Sequence, residues 1–137
     1  MRNKYKNFAI SALIAFVALG CSKNDLVYKE VAKASEEMNK QCPMVIDADT
    51  RLDNTMVTDN PVKLTYNYTV VTVEKKTNEP QINTVKEAMM KTTQNSVDTN
   101  PQMKFYRENK VPLTYSYKDK NGDFLFDFTV TPQNTTK

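Results

Sequence analysis

The run Leu113-Thr114-Tyr115-Ser116-Tyr117-Lys118-Asp119-Lys120-Asn121-Gly122-Asp123-Phe124-Leu125-Phe126-Asp127-Phe128-Thr129-Val130 reads as a β-hairpin, and its reading decides the fold. Asn-Gly is the favoured pair for a two-residue type I′ turn, in which both central residues take positive φ. A turn there pairs residues whose numbers sum to 243: Lys120 with Asp123, Tyr117 with Phe126, Tyr115 with Phe128 and Leu113 with Val130. The last three pairs are apolar and share one face, while Ser116 with Asp127 and Thr114 with Thr129 fall on the other. Such alternation fixes a strand register.

Working backwards, Val62-x-Leu64-Thr65-Tyr66-x-Tyr68 recurs as Val111-x-Leu113-Thr114-Tyr115-x-Tyr117, an offset of 49. Two origins fit: a duplicated helix-strand-strand unit, or two neighbouring strands that took up the same half-buried pattern. Leu64, Tyr66, Tyr68 and Val70 alternate with Thr65, Asn67 and Thr69, and Asp59-Asn60-Pro61 joins this strand to one around Leu52 to Val57. Val27, Val31, Ala34 and Met38 form a helical stripe, with Asn24 and Asp25 as caps and Pro43 as the stop. A second helix is predicted to open at Pro80, carry Ile82, Val85 and Met89 inward, and end between Asn95 and Pro101. The fold class is therefore α+β. Two helices pack on one face of an antiparallel sheet of about five strands, in the order α-β-β-α-β-β-β. This element order resembles cystatin-like architectures.

The N-terminus carries Arg2, Lys4 and Lys6 and no acid before Asp25, followed by twelve apolar or small residues from Phe8 to Leu19. Twelve is well short of the ~20 a helix needs to span a bilayer, and it fits the apolar region of an export signal. Ala18 and Gly20 are small residues at minus three and minus one from Cys21. Charge, apolar run, small residues and cysteine together resemble a bacterial lipoprotein signal, which implies cleavage after Gly20 and acylation of Cys21. The boundaries expected are a signal peptide over 1–20, a lipid-anchor tether over 21–25, one domain over 26–131 and a flexible tail over 132–137. About four residues then separate the anchor from the first helix, a reach of ~14 Å.

Three of the 19 basic residues and none of the 16 acids lie in the first twenty, so the chain from Cys21 onward is neutral. Neutrality without a basic run gives no footprint for nucleic acid. There is no histidine, and the two glycines stand at 20 and 122. Ser-His-Asp and Cys-His pairs, histidine metal sites and glycine-rich phosphate loops are all excluded by composition, and no cofactor is implied. If Cys21 is acylated, Cys42 has no partner within the chain, and it reads as a small buried residue at the end of the helix.

Two clusters remain as candidate sites. In the cluster Asp47, Asp49, Arg51 and Asp53 the three aspartates offer carboxylates to a cation, but the spacing fails as a calcium loop because Arg51 stands at its fifth position, and an ion-pair and turn role is the expectation. Tyr66, Tyr68, Tyr115, Tyr117, Phe126 and Phe128 form an aromatic stripe that reads as core or as the lining of an apolar pocket. The run Asn39-Lys40-x-Cys42-Pro43-Met44-x-x-Asp47-x-x-Thr50-Arg51-Leu52-Asp53, with Leu64-Thr65-Tyr66-Asn67-Tyr68-Thr69 after it, resembles a segment of an uncharacterised family of small exported bacterial proteins. That resemblance implies a shared fold unit and no activity. The reading is a non-enzymatic binding or envelope-accessory module of the bacterial cell envelope, anchored to the membrane by lipidated Cys21, whose partner is an envelope protein or a small ligand. Two alternatives are a carrier or sensor of a small apolar ligand held between sheet and helices, and a hydrolase built from carboxylates alone.

Overall fold

A computed structural model describes residues 22–133, without the side chains of residues 77–79. The expected cleavage and lipidation positions, Gly20 and Cys21, lie outside the described residues. The first helix, α1, spans Lys23–Asn39 and opens on a capping box. The Ser22 hydroxyl accepts the Asp25 N–H at 3.3 Å, and the Asp25 carboxylate accepts the Ser22 N–H at 3.0 Å. The cap is thus Ser22 rather than Asn24 or Asp25, which leaves one residue between Cys21 and the helix where about four were expected. Val27 and Val31 are buried as the stripe predicts, but so is Ser35, while Ala34 is half-buried.

The sheet comprises β1 (Met44–Val45), β2 (Thr50–Thr58), β3 (Lys63–Val70), β4 (Leu113–Asp119) and β5 (Phe124–Val130), side by side in that order. The α+β class and five strands are as expected. Two details differ. The fifth strand is the two-residue β1, which follows α1 and pairs with β2, rather than a third strand after the second helix. The central pair, β3 with β4, is parallel, while the other pairs are antiparallel.

A parallel pair requires a crossover, here supplied by α2 (Lys75–Thr99), a short 3-10 turn (Pro101–Met103) and α3 (Lys104–Glu108). The parallel register matches Leu64 to Leu113, Tyr66 to Tyr115 and Tyr68 to Tyr117, an offset of 49 at every position. The sequence repeat is therefore a pairing of neighbours. The second copy follows short helices rather than a strand, so helix-strand-strand is not repeated as a unit.

Pro80 lies inside α2 and does not open it. The helix starts five residues earlier because the carboxylate of Asp119, at the far end of β4, accepts the Lys75 N–H at 3.0 Å and caps the helix from a distance. The same carboxylate accepts the N–H groups of Asn121 and Asp123 at 2.8 and 2.9 Å. This reshapes the hairpin turn. Pairs summing to 243 hold from Leu113 with Val130 to Tyr117 with Phe126, and then Lys118 faces Phe124. The loop has three residues, Lys120, Asn121 and Gly122, of which Gly122 takes the positive φ of 90°. The expected Lys120–Asp123 pair is replaced by an Asp119 N–H bond to the Asp123 carbonyl at 2.8 Å. At the bulge, Leu125 and Phe126 are both buried and Phe124 is turned out.

Both helices pack on one sheet face, α1 over β2 and α2 over β5. Across that face the rings form two rows. Tyr66, Tyr115 and Phe128 stack with centroids 5.0 and 5.3 Å apart, and Tyr68, Tyr117 and Phe126 with centroids 5.0 and 4.9 Å apart. Each stacked pair adds about 0.5–1.5 kcal/mol beyond area burial. The opposite face is polar, tied by Asn67 to Asn54 at 2.8 Å and by Thr114 to Thr129 at 2.8 Å. Past β5, Pro132 is buried and the Gln133 N–H bonds Asp98 at 2.8 Å, so the first two residues of the expected tail, 132 and 133, pack against the domain.

A polar clasp holds α1 to β2. Ser35 and Thr55, both buried, share a hydroxyl–hydroxyl bond of 2.7 Å. One turn on, the Asn39 amide accepts the Thr55 N–H at 2.6 Å and donates to the Thr55 carbonyl at 2.9 Å. Asn39 thus stands in for the neighbouring strand that β1 is too short to provide, and blunts an otherwise open edge.

Candidate functional site

An apolar opening lies where α2 crosses the end of the sheet. Ile82, Val85 and Met89 of α2 face Val70, Tyr117 and Phe126 across a cavity of about 210 Å³, closed further by Val73 and Leu125. Among the described residues its polar lining is confined to Thr50, Gln81 and the Tyr117 phenol, and no described acid or base borders it. Val85 remains 45% exposed at the rim. The stripe Ile82-Val85-Met89 was legible from helical spacing. Leu125 was not, because it enters this face through a bulge that strict alternation does not allow.

Of the predicted aromatic residues, Tyr117 and Phe126 border the cavity, while Tyr66, Tyr68, Tyr115 and Phe128 continue the stacked rows away from it. Burial lifts the Tyr68 phenol to about 12 and raises those of Tyr66, Tyr115 and Tyr117. None of these phenols ionises near neutral pH. They act as apolar wall rather than as acid or base.

The structure divides the acidic cluster. Asp47 accepts the Asp49 N–H at 2.8 Å, and Asp49 accepts the Thr72 hydroxyl at 2.9 Å, so these two order the turn between β1 and β2. Arg51 and Asp53 meet on the polar sheet face, Nε to Oδ1 at 2.7 Å, joined there by Thr69 at 2.6 Å and Lys118 at 3.2 Å. Burial alone would raise the Asp53 pKa, but hydrogen bonds from Thr69, Arg51 and Lys118 outweigh it and hold the carboxyl below its ordinary range. Among the described residues no three His, Cys, Asp or Glu side chains gather to hold a metal ion. Cys42 is a half-buried free thiol.

A family model described as a domain of unknown function, DUF8479, matches residues 26–126. The chain belongs to that family. No curated protein matches its sequence. This DUF8479 domain shares its fold with a candidate secreted protein of Pseudomonas aeruginosa, at 18% identity and a TM-score of 0.64 over 82% of this chain and 95% of that one. It also shares its fold with the pilotin EpsS of the Vibrio vulnificus type 2 secretion system, at 8% identity and a TM-score of 0.56 over 79% and 90%. Both likenesses are of fold. In this DUF8479 domain, what the arrangement offers chemically is mainly apolar surface, with no acid–base pair among the described residues that line the cavity. Among the described residues no helix is long and apolar enough to cross a membrane.

Proposed function

We propose that the protein is a non-catalytic binding module of the bacterial cell envelope, tethered by acylated Cys21, that receives apolar side chains of a partner protein in the cavity under α2. The cavity carries the proposal. At about 210 Å³ it falls below the ~300–1,000 Å³ of sites that enclose a small-molecule ligand, and it suits a few side chains from a partner better than a carried ligand. The fold shared with a secretion-system pilotin supports an accessory role in the envelope by analogy of architecture. The export signal and Cys21 support the tether.

Two measurements test this. Intact mass of the protein extracted from its native membrane should show a chain starting at Cys21 and carrying acyl groups; an unmodified thiol there overturns the tether. Fluorescence of an apolar naphthalene dye should rise on binding the wild-type domain and fall several-fold with Val85→Glu, a rim substitution that leaves the melting temperature unchanged. Equal dye binding by the two proteins removes the cavity from the argument.

A further inference from the structure

We propose that the end of the domain where α1 begins is a lipid-contacting surface, and that the cavity is held at the end remote from the membrane. The inference rests on the tether proposed above. α1 starts at Lys23 with Ser22 locked in its capping box, so a lipid-bearing Cys21 is bonded directly to an ordered residue. One peptide link reaches ~3.8 Å, which leaves the folded body no slack to turn over above the bilayer.

Around Ser22 the surface is built by Lys23, Asn24, Pro61, Lys110 and Pro112, that is, by the start of α1, the β2–β3 turn and the approach to β4. Leu26, four residues past Ser22 and so on the same side of the helix, is 54% exposed. An exposed leucine one turn from an acyl anchor gains from entering the headgroup–acyl boundary, as lysine stems beside it do by snorkelling. The cavity is bordered instead by Thr50 and Val70, at the start of β2 and the end of β3. From Lys63 to Val70, β3 spans seven residue steps, or ~23 Å at ~3.3 Å each. That distance separates the anchored end from the cavity, whose occupant must then arrive from the aqueous side and not from the bilayer.

The chain contains no tryptophan, so single tryptophans report position directly. Leu26 and Phe124 are matched sites, each 54% exposed, at the two ends of the sheet. The acylated protein, its modification verified by mass, is reconstituted into phosphatidylethanolamine–phosphatidylglycerol vesicles containing brominated lipid. Leu26→Trp should lose most of its emission and shift to the blue, while Phe124→Trp keeps the spectrum it has without bromine. Equal quenching of the two, or quenching of neither, overturns the orientation. If mass spectrometry finds Cys21 unacylated, the tether fails on its own. The same pair, coupled through Cys21 to maleimide-bearing lipid in a Cys42→Ser background, then still decides whether this end settles on lipid.

Discussion

Replacing Thr55 with valine keeps the shape of a 3% exposed side chain and removes one hydroxyl, which makes it a clean probe of the α1–β2 clasp. That hydroxyl bonds the Ser35 hydroxyl at 2.7 Å and approaches the Asn39 Oδ1 at 3.0 Å. In Thr55→Val the Ser35 hydroxyl, 5% exposed, keeps no cross-element partner. Orphaning a buried hydroxyl costs about 1–3 kcal/mol, whereas removing both partners of a pair is far cheaper. Ser35 can relieve part of the loss by turning to the carbonyl one helical turn back, so about 2 kcal/mol is the expected cost. Ser35→Ala alone leaves Thr55 its bond to Asn39 and should cost about 1 kcal/mol. The double variant should then be less destabilised than the sum of the singles by at least ~0.5 kcal/mol, a coupling within the range of contacting pairs. Urea unfolding followed by far-ultraviolet circular dichroism reads all three, and at ~4 °C per kcal/mol the Thr55→Val melting point should drop by roughly 8 °C. Strict additivity, or a Thr55→Val protein as stable as wild type, would refute the view that these hydroxyls satisfy one another.

Other substitutions test the remaining junctions. Asn39→Ala removes both bonds to the Thr55 backbone and should lower stability by about 2 kcal/mol in the same urea assay. The backbone N–H groups of Lys75, Asp123, Asn121 and Gly122 hold the Asp119 carboxyl below its ordinary range against the opposing effect of burial. Its stabilising contribution is thus complete above the unfolded value of about 3.9 and is lost as pH falls through the lower folded value. Asp53 titrates with the same sign, so acid melts of wild type should steepen below pH ~4 and those of Asp119→Asn should be shallower there. Gly122→Ala meets no atom within 4 Å, so its cost is the strain of φ 90° alone, about 1 kcal/mol in a thermal melt. A larger loss would mean that the turn itself rearranges.

Much of the architecture could be read from the chain because it rests on local periodicity. The α1 stripe, the β2–β3 hairpin and the pairing of Leu113 to Tyr117 with Phe126 to Val130 all follow from spacing and turn residues. What escaped was set by side chains acting across the fold. Asp119 caps a helix 44 residues earlier in the chain and widens its own turn, so neither the start of α2 nor the bulge at Leu125 was legible locally. Asn39 and Ser35 read as ordinary polar helix positions, and only Thr55 on β2 gives them a role. The candidate cavity was half visible, through the α2 stripe and Tyr117, and half hidden behind that same bulge.

The offset of 49 carries a further consequence for how this sheet is specified. Parallel strands joined by a long crossover lack a tight turn to fix their register, and a slip of one residue would send every ring of β4 to the polar face. Here like residues lie side by side: Leu64 by Leu113, Tyr66 by Tyr115, Tyr68 by Tyr117. A slip of two residues would preserve the faces but set Leu113 against Tyr66 and Tyr115 against Tyr68, leaving Tyr117 beside Val70. One of the two interstrand tyrosine stacks at 5.0 Å would be lost. At about 0.5–1.5 kcal/mol for that stack, together with the uneven packing of leucine against tyrosine, the repeat penalises a slip that alternation alone permits. Register selection accounts for the recurrence without requiring that a helix-strand-strand unit was ever copied. It also explains why the likeness is densest at the three paired apolar positions and fades in the segments that precede them.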